Sequence, residues 1–255
     1  MLSHIFDTHS HYDDRRFDAD RDGLISSLFA NGMSGIIHAA TDIASSEFGI
    51  EQSRKYERYY ASVGIHPENA DSVASGYIDS LRLLAQSEKV VAIGEIGLDY
   101  HYEGYDKASQ IELFTSSVEL ANELSLPVIV HCRDAVGDCM EILKRLKPKG
   151  VMHCYSGSPE TARELLDLGM YIGFTGAITF KNAKKAAEVL KILPLDRLLL
   201  ETDCPYMAPE PLRGKRCDSS MIRFTAQRAA EVMGVESDEL LAATEENAVR
   251  VFGIE

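Results

Sequence analysis

The chain has 255 residues, 45% hydrophobic and 26% charged, with a formal net charge of −14 at pH 7. That is an ordinary globular profile, with room for one large α/β domain or two smaller ones. The acidic excess excludes broad, sequence-blind coating of nucleic acid, but not a nucleic-acid substrate met by a small basic patch or through metal ions.

No apolar run approaches the roughly 20 residues of a membrane span. The opening MLSHIFDTHSHYDD has no basic start followed by an apolar block, so no signal peptide is expected. The five cysteines are odd in number and none shows zinc-finger spacing; free thiols in a reducing cytoplasm are expected.

Eight times the chain runs through a short apolar or β-branched stretch, a polar or glycine-rich end, then helical spacing. The stretches are Ile5–His11, Gly35–Thr41, Tyr59–Pro67, Val90–Asp99, Pro127–Arg133, Gly150–Tyr155, Met170–Thr175 and Leu198–Asp203. Helices are predicted at Leu24–Ala30, Ala44–Arg58, Ile78–Ser87, Ser109–Leu124, Ala135–Leu146, Pro159–Leu168, Ala183–Leu193, Ser219–Met233 and Ser237–Phe252. Breakers bound several of them: Asn31-Gly32, Pro127, Pro148 and Gly169, with Ser158 as an N-cap. Strand–helix alternation demands a parallel sheet with right-handed crossovers, and eight units in this length predict a single-domain (β/α)8 TIM barrel over 1–255. An open doubly wound sheet would gather its polar residues at one switch point, whereas here they end many strands.

Barrel enzymes carry their chemistry at the C-terminal strand ends. Those ends hold His9, His11, His66, Glu95, His131, His153 and Asp203. His9 and His11 are two apart and face the same side of a strand. Asp7 and Glu201 share parity with His9 and Asp203, as carboxylates that orient ligands would. Taken singly, each histidine could be a core residue bonded to backbone, and Asp203 a cap. Together, unpaired carboxylates clustered at strand ends would repel, and divalent cations remove that cost. Six ligands are too many for one tetrahedral ion and suit two ions with open positions. The simplest division gives His9, His11 and Asp203 to one ion, His131 and His153 to the other, with Glu95 bridging. Asp203 is also placed to hold the attacking water and take its proton. Imidazole-rich ligation suits zinc, manganese, iron or cobalt, and magnesium more weakly.

The motifs FDTHSHYD, GIHPE, GEIGLDY, PVIVHCRD, HCYSGS, FTGAITFKNA, LLLETDCPY, PLRGKR and ENAVRVFG stand in an order that resembles TatD-type metal-dependent DNases, from Phe6 to Gly253. The resemblance implies a barrel of the amidohydrolase superfamily that hydrolyses DNA phosphodiesters, often as a 3′→5′ exonuclease. It implies His9, His11, Glu95, His131, His153 and Asp203 as metal positions, the set read from the strand ends. Glu68 departs from the family, which often has a histidine there. Cys132 and Cys204 replace the Ser or Ala usual beside the ligands; alternation points both thiols away from the ions.

Arg213, Lys215 and Arg216 form the clearest basic patch, on the loop after the eighth strand, where phosphate capture is expected. His66 and Arg133 are expected to hold the scissile phosphate or leaving group, against pocket packing and a salt bridge. Tyr100, Tyr155 and Phe174 could stack bases, though aromatics near strand ends usually pack. The expected activity is therefore a deoxyribonuclease with a DNA substrate, single-stranded or at 3′ ends, and no obligate protein partner. The alternatives are a D-aminoacyl-tRNA deacylase or a small-molecule amidohydrolase or lactonase. Many of the latter bridge their metals with a carboxylated lysine, and no lysine ends a strand here.

Overall fold

The computed structural model describes residues 3–254. The eight strands lie in one sheet in chain order. They are β1 (Phe6–Ser10), β2 (Gly35–His38), β3 (Tyr59–Val63), β4 (Val90–Asp99), β5 (Val128–Arg133), β6 (Gly150–Met152), β7 (Tyr171–Phe174) and β8 (Leu198–Leu200). Each falls inside its predicted stretch. Packing divides the chain into two compact units, Met1–His38 with Cys154–Glu255, and Ala39–His153.

In the first unit, β1 pairs with β2 and β7 with β8, all parallel. Beyond β8 the chain continues alongside β1: Asp203 N–H donates to the His9 carbonyl at 2.9 Å, and His11 N–H to the Cys204 carbonyl at 2.8 Å. This ladder brings the end of β8 beside the end of β1. The helices are α1 (Arg21–Ala30), α6 (Pro159–Asp167), α7 (Lys184–Leu190), α8 (Ile222–Met233) and α9 (Ser237–Phe252). The Ser158 hydroxyl caps α6 by accepting from Thr161 N–H at 3.2 Å, with Pro159 in the first turn. Gly234 and Gly253, both at positive φ, end α8 and α9.

In the second unit, β3, β4, β5 and β6 are parallel neighbours in that order. Its helices are α2 (Ile43–Lys55), α3 (Tyr77–Leu84), α4 (Lys107–Leu124) and α5 (Val136–Leu146). Asp42 caps α2 and Asp106 caps α4 through their carboxylates. β4 is buried throughout, and its glycines are steric requirements. A Cβ on Gly94 would meet Ile129 Cβ at 2.6 Å, and one on Gly97 would collide with the His131 carbonyl oxygen. β5 is buried over Val128–Val130 and opens outward through His131 and Cys132 to exposed Arg133. That gradient leaves the His131 ring partly accessible.

Candidate functional site

In the first unit, β1 delivers His9 and His11 on one face, as period-two alternation requires. Asp203 follows β8 with its backbone in the left-handed region, φ 58°, a conformation Asp tolerates better than most residues. His9 Nε2 lies 3.1 Å from His11 Nε2. Asp203 Oδ1 lies 3.2 Å from His11 Nε2 and 3.8 Å from His9 Nε2. Tetrahedral ligands with bonds of about 2.1 Å stand roughly 3.4 Å apart, so these three separations straddle the value a divalent ion sets. Two imidazole nitrogens and a carboxylate converging on one point fit a transition metal or zinc.

Asp7 sits beneath, fully buried. It accepts from Ser219 Oγ and Thr202 Oγ1, both at 2.6 Å, from Thr202 N–H at 3.0 Å and from His9 N–H at 3.3 Å. Burial pushes its carboxyl up to about 7 against those four hydrogen bonds. Asp7 therefore fixes the backbone that carries His9, not the His9 ring. Glu201 similarly accepts from the Cys154 backbone N–H.

In the second unit, Glu95 Oε1 is the hub. His131 Nδ1 lies 3.0 Å away, His153 Nε2 3.1 Å and His66 Nε2 3.6 Å. His66, Glu95 and His131 form a group able to hold an ion. On its far side His131 Nε2 meets Asp99 Oδ2 at 2.9 Å. Burial alone would lower the His131 pKa, but the Asp99 and Glu95 carboxylates carry it up to about 9. A ring oriented through its remote nitrogen by a carboxylate is how metal-binding histidines are commonly held. Asp99 was not singled out in the sequence, although it shares parity with Glu95 on the same strand, and that spacing was the available signal.

His66 differs from the other histidines. Its Nδ1 accepts the Glu68 backbone N–H at 3.2 Å. An N–H can only donate, so the neutral ring carries its proton on Nε2 and presents a donor there. That suits a hydrogen bond to a substrate oxygen better than a metal bond.

The expected substrate contacts separate. Arg133 is exposed, and its Nη1 donates to Tyr102 Oη at 3.3 Å. Arg213 and Lys215 are exposed; the Arg213 guanidinium lies 4.3 Å from the Phe180 ring centroid. Arg216 is engaged: its two Nη atoms each reach an Asp20 oxygen at 2.7 Å, and it lies over Phe17. Phe174 and Tyr155 are buried, and Tyr100 stacks on Tyr105. Cys204 is buried and Cys132 half-buried, both as free thiols.

A family model described as TatD related DNase matches residues 6–253. The chain belongs to the TatD family. It is 40% identical over 253 residues to the uncharacterized metal-dependent hydrolase YabD of Bacillus subtilis, covering 98% of this chain and 99% of that one. It is 34% identical over 256 residues to the 3′-5′ ssDNA/RNA exonuclease TatD of Cronobacter sakazakii, covering 97% of each. Among solved structures, YJJV, a TatD homolog from Escherichia coli K12, superposes with a TM-score of 0.94 at 30% identity over 100% of both chains. The fold of this TatD protein is thus the (β/α)8 barrel expected from the strand–helix count, and its chemistry is metal-dependent hydrolysis. No helix among the described residues is long and apolar enough to cross a membrane.

Proposed function

We propose that this TatD-family hydrolase cleaves phosphodiester bonds of single-stranded DNA from the 3′ end, as one catalytic domain acting in the cytoplasm. Two divalent ions, zinc, manganese or magnesium, would be held by His9, His11 and Asp203, and by Glu95, His131 and His153. The observation that carries the proposal is Asp203. Its carboxylate stands within 3.8 Å of both the His9 and His11 ring nitrogens while 16% of its side chain remains exposed. One oxygen can therefore serve an ion while the group still meets water.

Bound divalent ions would supply Lewis acidity toward water and the phosphoryl oxygens. Asp203 orients the attacking water and accepts its proton as the water oxygen bonds to phosphorus. The P–O3′ bond breaks, and the departing oxygen takes a proton from solvent. The Nε2–H of His66 donates to an oxygen of the scissile phosphate. Arg133, Arg213 and Lys215 hold the polyanion as point or forked donors, and Arg216 joins them if it leaves Asp20. Homologues named as 3′-5′ ssDNA/RNA exonucleases support the choice of substrate.

The test is hydrolysis by purified, metal-reconstituted protein of end-labelled single-stranded DNA, beside a D-aminoacyl-tRNA and a cyclic amide. Stepwise loss from the 3′ end, abolished by a chelator and restored by added metal, is expected. Turnover of the tRNA ester or the amide with intact DNA would overturn the reading. Glu95→Ala is expected to fold, to lose bound metal and to lose activity.

A further inference from the structure

The loop after β4 carries an aromatic cluster that packs against Arg133 of β5, and apart from that arginine it has no role in the chemistry above. Its sequence is Tyr100-His101-Tyr102-Glu103-Gly104-Tyr105. Tyr100 and Tyr105 stack with centroids 4.6 Å apart and planes at 8°. Tyr100 Oη donates to Asp138 at 2.9 Å, and Lys107 pairs with that same carboxylate at 2.6 Å. The His101 backbone N–H donates to Asp99 Oδ1 at 2.9 Å, and its ring meets Asp134 at 2.8 Å. The loop is thus pinned on either side of Tyr102, which projects with 56% of its surface exposed. The Arg133 guanidinium lies 5.2 Å from the Tyr102 ring centroid.

A lone exposed tyrosine needs no explanation. This one is held by an anchored loop three residues after Asp99, which orients His131, and it carries an arginine two residues after His131. Lys107 is committed to Asp138, whereas no carboxylate lies within ion-pair distance of Arg133 among the described residues. Arg133 is thus an exposed cation seated on an exposed ring, with the Asp99 and Asp134 carboxylates near enough to favour its charge.

We infer that Tyr102 and Arg133 form a subsite for one unpaired nucleotide, the base stacking on the Tyr102 ring and the guanidinium taking its phosphate. The inference rests on the nucleic-acid reading and deepens it by supplying a reason for single-strand preference. Every base has a π face that an aromatic platform accepts without regard to sequence. In a duplex both faces of an internal base are already covered by its neighbours, so the ring has nothing to stack on. The oxygen-rich phosphate matches the planar, forked donors of arginine.

The test uses the full chain loaded with magnesium and a single-stranded phosphorothioate oligonucleotide carrying 2-aminopurine, whose fluorescence falls on stacking. The wild type should quench it. Tyr102→Leu should weaken binding about tenfold and lose the quench, as removal of one stacked base implies. The same variant should lower kcat/KM for unmodified oligonucleotide, relative to bis(p-nitrophenyl) phosphate, by a similar factor. Tyr102→Phe keeps the ring and should stay close to wild type in both readouts. Quenching and affinity preserved in Tyr102→Leu would overturn the subsite while leaving the nuclease reading in place. A wild type that neither binds nor cuts any oligonucleotide, yet hydrolyses a tRNA ester or an amide, would overturn both.

Discussion

The Asp99 carboxylate grips the His131 ring from behind, Oδ2 to Nε2 at 2.9 Å, while Nδ1 points at Glu95. The pair fixes both the direction of the ring and the nitrogen left for a cation. Asp99→Asn keeps the shape and loses the charge. It should weaken metal binding by about 10- to 100-fold, the usual effect of removing such an orienting partner. Competition against a chromogenic chelator measures it. Unaltered affinity would mean that Asp99 only satisfies the Tyr100–Tyr105 loop.

His66→Ala should behave otherwise. Its Nδ1 is spent on the Glu68 backbone, so Nε2 is a donor and no ligand is lost. Bound metal should be retained while kcat/KM falls by about 10²-fold, in the range seen when one transition-state donor is removed. Loss of metal along with activity would place His66 among the ligands instead.

Arg213 and Arg216 are three apart in one loop but should separate on mutation. Arg213→Ala should mainly raise KM for polyanionic substrates, with a smaller effect on a small diester. Arg216→Ala breaks a two-pronged pair with Asp20 and uncovers Phe17, so it should lower the melting temperature. Equal loss on the small diester would count against phosphate capture by Arg213.

Gly97→Ala tests the closeness of β4 and β5. At φ 149° the residue pairs with His131, and any Cβ strikes the His131 carbonyl oxygen. Relief requires the strands to part, at about 1–3 kcal/mol. Urea unfolding should report that loss, and metal affinity should fall with it because His131 moves. A fully stable variant with unaltered metal binding would show the register to be slack.

Strand placement was legible because it depends on local composition. Val90–Asp99 is apolar, β-branched and glycine-punctuated, and it folds as that strand to the residue. The helix stop at Gly169 was equally local. The convergence of His9, His11 and Asp203 was legible because parallel strands bring their ends to one level, and ladder bonds from Asp203 to His9 then align them. Three features needed coordinates. Asp99 looked like the polar end of a strand until its distance to His131 was known. Arg216 is indistinguishable from Arg213 as a charge run, because Asp20 is far away in sequence. Tyr102 lies in a loop, where no periodicity says which ring is packed and which is presented; the packing expected of Tyr100 is seen in its stack on Tyr105.

Asp203 keeps a carboxylate on a backbone geometry that glycine adopts at least expense. Selection for thermal endurance alone would therefore reward Asp203→Gly, gaining stability by relieving that backbone strain and surrendering its oxygen. Stability and turnover pull in opposite directions at this position. A library sorted only by heat resistance should converge on chains that are sturdy and inert.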